Sequence, residues 1–80
     1  MLWFVKILKI YGDNVMIAYS CEDSRECDGI IEYNIVTKEV AVIRESSSSS
    51  AFLTKKLSIL IPHAYEKGII TEAINNISIG

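Results

Sequence analysis

Val40-Ala-Val-Ile-Arg-Glu45-Ser-Ser-Ser-Ser-Ser50-Ala-Phe-Leu-Thr-Lys55-Lys-Leu-Ser-Ile-Leu60-Ile is the stretch that decides the fold. Ahead of the serines, apolar residues recur at every second position; behind them, they recur three and four apart. Strands followed by a helix make an α+β domain. The run Ser46–Ser50 is low in complexity, and its composition predicts a flexible linker. Ser50 stands where a helix N-cap belongs, which starts a helix at Ala51 and carries it to about Lys67. Leu53, Leu57, Leu60, Ile61 and Ala64 then fall in one stripe that should pack on the sheet. Pro62 lies nearly opposite the stripe, where it either bends the helix or ends one helix at Ile61 and starts another. Gly68 is the natural stop.

Working back toward the start, the chain reads as a four-stranded meander over residues 1–45. Leu2–Tyr11 is a strand with Trp3, Val5 and Ile7 on one face and Leu2, Phe4, Leu8 and Ile10 on the other. Two apolar faces suit a strand covered on both sides. Gly12-Asp13 fits a two-residue type II′ turn into a second strand carrying Val15, Ile17 and Tyr19. Cys21–Asp28 is a polar, acidic connection, and Gly29–Ile35 alternates as a third strand. At the next turn the Asn34 side chain can bond the amides ahead of it, and Lys38 takes a place where glycine is preferred. Glu39–Arg44 is the fourth strand. The short connections favour an antiparallel order. In the tail, 68–80, Thr71 caps a short turn, and Ile77 and Ile79 suggest a last short strand along a sheet edge.

Eighty residues, half of them hydrophobic, form one small domain. A chain of this size buries only about 60% of its unfolded surface. The surplus of apolar side chains therefore points to an interface, and a homodimer is its simplest form. Trp3, Phe52 and Ile59 are the candidate interface residues, Phe52 and Ile59 sharing a flank of the helix outside the stripe. Their alternative is a wider contact with the core. A net charge of −2 argues against nucleic acid and anionic membranes as partners. Neither an export signal nor a run of about 20 apolar residues is present, so the expected location is the cytoplasm.

Candidate chemistry is sparse. Cys21 and Cys27 bracket five polar residues and, across a hairpin mouth, would come within reach of a disulfide adding about 2 kcal/mol. A reducing compartment favours two structural thiols instead, and two thiols alone leave a tetrahedral zinc short of ligands even with His63 and Asp28 nearby in sequence. Glu22, Asp23, Glu26 and Asp28 fail the calcium-loop pattern, because Arg25 takes a ligand position. His63 is the sole histidine and has neither nucleophile nor orienting group beside it in sequence. The serines leading into a helix with Lys55 and Lys56 have the charge of an anion site without its glycines. The strand aromatics lack the basic groove that base stacking needs. Neither a metal nor a cofactor is expected.

Tyr11-Gly12, Asp28-Gly-Ile-Ile-Glu-Tyr-Asn34, Thr37-Lys-Glu39, the amphipathic helix to Gly68 and the ending Ile-Ser-Ile-Gly80 come in an order that resembles short uncharacterised bacterial proteins of about eighty residues. The resemblance covers most of the chain. It implies a stand-alone protein and brings no activity with it. The expectation is an antiparallel four-stranded meander with one long C-terminal helix and a short extra strand. In function it is a non-enzymatic interaction protein that self-associates through apolar surface: an apolar sheet face, a sheet edge or the Phe52/Ile59 flank. The alternative is a thiol- or metal-dependent regulatory module built on Cys21 and Cys27.

Overall fold

In the computed structural model, which describes residues 2–21 and 26–78, the chain runs β1 (Leu2–Tyr11), β2 (Asn14–Cys21), β3 (Gly29–Asn34), β4 (Val40–Arg44), α1 (Ala51–Glu66) and β5 (Asn75–Ser78). The strands form one antiparallel sheet in the order β4-β3-β2-β1-β5, so the last strand returns to pair with the first. The α+β meander with its helix and extra strand is what the periodicities imply. Local chemistry sets the turns. Gly12 adopts φ +57° at the first position of the β1–β2 turn, a conformation with little steric cost for a residue lacking Cβ. At the β3–β4 turn, Asn34 Oδ1 accepts from the amides of Val36 and Thr37, both at 2.9 Å, and Lys38 takes φ +65°.

Alternation divides the sheet into two faces. Trp3, Val5, Val15, Ile17, Tyr19, Ile31 and Tyr33 point toward α1 and meet Leu57, Ile61 and Ala64 in the main core, with Ile70 and Ile77 completing it from the tail. Phe4 and Ala18 lie on the opposite face, where Cys27 covers them in a second small cluster with Leu2 against it. Both sides of β1 are thus covered at its N-terminal end. Beyond Ile7 a register shift makes Leu8 an extra residue, and Leu8 and Ile10 become exposed.

α1 is a single helix through Pro62, and its start and stop match the cap chemistry. Ser50 Oγ accepts from Leu53 N–H, Lys67 is the C-cap, and Gly68 follows with φ +77°. The buried stripe is turned slightly from the expected one. Thr54 is buried with Leu57, Ile61 and Ala64, while Leu53 and Leu60 are half-buried. The reason is polar: the Thr54 hydroxyl has a partner beneath the helix in Tyr19.

Candidate functional site

The serine run is a connection without regular structure, yet it is tied down throughout. Tyr19, on β2, aims its hydroxyl across β3 toward the start of α1. That oxygen accepts from Ser46 N–H at 3.0 Å and shares a hydrogen bond with Thr54 Oγ1 at 2.9 Å. Ser46 Oγ donates to Asp28 Oδ1 at 2.5 Å, and Ser47 reaches Asp28 Oδ2 with its hydroxyl at 2.6 Å and its amide at 3.2 Å. Ser48 Oγ accepts from Cys21 N–H at 2.8 Å, and Ser49 Oγ shares a hydrogen bond with Thr54 Oγ1. These donors hold the Asp28 carboxyl down at about 2, the Ser46 hydroxyl first and then the hydroxyl and amide of Ser47.

Gly29 completes this hub. It sits opposite Tyr19 in the β2–β3 ladder, and a Cβ there would lie 2.3 Å from the Tyr19 ring and 2.8 Å from the Ser46 backbone nitrogen. The Tyr19 ring therefore occupies the space that a side chain at this position would need. Glycine is required here by space, since its φ is not in the left-handed region. Chemically, the arrangement joins the end of β2, the start of β3, the run after β4 and the first turn of α1. Every polar atom named in it has a partner inside it, so it reads as a structural clasp.

The candidate residues scatter. Trp3 is fully buried in the main core, so it has no surface to offer a partner from the folded chain. Phe52 and Ile59 are 66% and 71% exposed on the solvent side of α1, which corrects the wider-core alternative for this pair. Lys56 Nζ lies 4.7 Å from the Phe52 ring centre. Cys21 and Cys27 are both buried and outside any disulfide. They belong to different clusters: Cys21 pairs with Trp3 on the helix side, whereas Cys27 Sγ lies 3.8 Å from Ser20 Oγ and from the Phe4 carbonyl on the other side. The sheet separates the two sulfurs.

His63 is exposed in the last turn of α1, and no cluster of three or more metal-ligating side chains occurs among the described residues. Glu22, Asp23, Arg25 and Ile79 lie outside the described residues. Asp28 is committed to the serines, and Lys55 and Lys56 are exposed within α1, whose N-terminus is already capped by Ser50.

Two surface features lie away from the candidate residues, and the first makes specific the sheet edge that the sequence allows as a contact surface. β4 is an edge strand, paired with β3 alone, and Val42 and Ile43 are 45% and 56% exposed on it. Between β4 and α1 runs a shallow cleft of about 270 Å3, lined by Val42, Ala51, Thr54, Ser58, Glu45 and Lys55. A four-stranded meander leaves its fourth strand at an edge, so this position was implied by the sequence; the cleft beside it was not. No family model, curated protein or solved structure matches the chain. Function has to be argued from these surfaces alone.

Proposed function

We propose that this chain is a small non-enzymatic interaction protein that self-associates through apolar surface. The observation that carries the reading is the amount of large apolar side chain left outside. Leu8, Ile10, Val36, Val42, Ile43, Phe52, Ile59, Ile69 and Ile74 are all exposed by two-fifths or more. Single exposed apolar residues are ordinary, but the β4 edge and the outer side of α1 each group them. The hydrogen-bonded side chains that might have done chemistry are spent on one another in the Tyr19–Asp28 clasp. Among the described residues no helix is long and apolar enough to cross a membrane.

Sedimentation equilibrium over a range of concentrations tests the reading. A reversible shift from monomer to dimer in the micromolar range or tighter supports it. A monomer at every concentration overturns it.

A further inference from the structure

Self-association leaves open which surface is used: exposed apolar side chains gather at the far end of β1 (Leu8, Ile10 and Tyr11), on the outer side of α1 and along the β4 edge. The outer side of α1 presents Phe52 and Ile59 between Lys55, Lys56 and His63. Two copies meeting there about a two-fold axis would gather four lysines. The nearest carboxylate on that side, Glu66, is already bound to Lys38. Like charges brought face to face oppose such a contact.

The β4 edge has the opposite character. Glu39, Glu45, Arg44 and Lys55 surround it, two of each sign. Its backbone is also unused on one side. Asn34 N–H bonds to the Glu39 carbonyl, and antiparallel alternation then turns the N–H and C=O of Val40 and Val42 away from β3. A register shift makes Ile43 an extra residue at the far end and leaves Val40–Val42 regular. β4 contains neither proline nor lysine, two residues that commonly protect such an edge.

We propose that two copies of this chain pair antiparallel along β4, about a two-fold axis at Val42, to make one continuous ten-stranded sheet. The proposal rests on the self-association reading and names its surface. In this register Val42 lies beside the second copy's Val42, and Ala41 lies beside its Ile43. Arg44, whose Nε donates to its own Asp28 carbonyl at 2.8 Å, falls diagonal to the second copy's Glu39 on the sheet face away from α1, a spacing of about 7–8 Å that its other guanidinium nitrogens can bridge. The two-fold axis runs perpendicular to the sheet and so keeps both α1 helices on one face. There Ala51 and Ser58 border the clefts, and their small side chains permit close approach.

The helices are a necessary part of the contact. A standard interface covers about 800 Å2 on each partner, and five edge residues fall well short of that. The two clefts between β4 and α1, closed over by the second copy, supply the remainder.

The test uses the full chain. Val42→Pro removes an N–H that the β3–β4 ladder does not use, and proline is tolerated on edge strands. It should leave the circular dichroism spectrum in place and weaken the dimer about 100-fold, because the symmetry deletes the bond twice. Val42→Arg keeps the backbone intact and sets like charges directly opposite, so it should have the same effect if the proline variant does not fold. Phe52→Asp/Ile59→Asp should leave the dimer intact. The amides of Val40 and Val42 should gain hydrogen-exchange protection as concentration rises.

A dimer that survives both Val42 variants, or whose Val42 amide stays unprotected, overturns the edge pairing while self-association stands. Loss of the dimer in Phe52→Asp/Ile59→Asp alone moves the interface to the outer side of α1. A wild-type chain that is monomeric throughout overturns both.

Discussion

Tyr19→Phe is the perturbation that tests the clasp, because it deletes one oxygen and almost no volume. That oxygen accepts the Ser46 amide and shares a hydrogen bond with Thr54. Thr54 retains Ser49 at 3.0 Å, so its loss is partial. Ser46 N–H is different: Ser46 is 2% exposed, and without the phenol its amide is buried with no acceptor. A buried donor left unsatisfied costs about 1–3 kcal/mol, and a net hydrogen bond adds about 1 kcal/mol. The expected loss is therefore about 2–4 kcal/mol. A chain of this length has about 4–12 kcal/mol in total, so the variant should survive with a clearly lower urea midpoint and an unchanged m value.

The assay is urea unfolding at a protein concentration low enough that association contributes nothing. Thr54→Val in the same background supplies a double-mutant cycle, and the two changes should couple by about 0.5 kcal/mol or more, since they share one bond. A loss under about 0.5 kcal/mol for Tyr19→Phe would refute the argument. It would mean that the serine run is not held by that hydroxyl.

Three further outcomes follow from the same geometry. Gly29→Ala forces the Tyr19 ring and the Ser46 backbone apart and should destabilise by about 1–3 kcal/mol in urea unfolding, as overpacked sites do. Asp28 is held at about 2 in the folded chain against an ordinary 3.8, so the unfolded chain binds the proton first. Its contribution is complete above about pH 4 and is lost as the pH falls toward 2; Asp28→Asn should flatten the stability profile across that window alone. Lys38→Gly relieves a left-handed backbone of about 1 kcal/mol, and gives up a solvent-exposed ion pair with Glu66 that screening keeps weak. Its unfolding midpoint should rise slightly or stay level.

What was legible in the sequence was local. Gly12, Asn34, Ser50 and Gly68 each act on amides or carbonyls a few residues away, and each performs the turn or cap its chemistry implies. The apolar periods placed β1 to β4 and α1 within a residue or so. What could not be read was whatever depends on partners distant in the chain. Five serines have the composition of a flexible linker; their order comes from Tyr19, Asp28 and Cys21, 18 to 27 residues away. Thr54 breaks the apolar stripe for the same reason. The two register shifts, at Leu8 and Ile43, change which face the following side chains take, and no residue in either stretch announces them. The distance between Cys21 and Cys27 was misleading as well. A hairpin mouth would set them together, but Cys21 belongs to the cluster on one face of the sheet and Cys27 to that on the other.

The return of β5 to β1 gives the fold a sequence of events. Leu2 is paired with Ser78 and Val5 with Asn75, so this ladder closes a loop of about seventy residues. The β1–β2 hairpin closes over two. Loop-closure entropy makes the longer ring about 3 kcal/mol harder to form. During synthesis β1 gains no partner on its outer side until the chain from Thr71 through β5 has been made. The β1–β5 seam is thus the last to zip on folding and the first to fray in the native state. Ile70 and Ile77, seated in the core, are the weights that keep it shut.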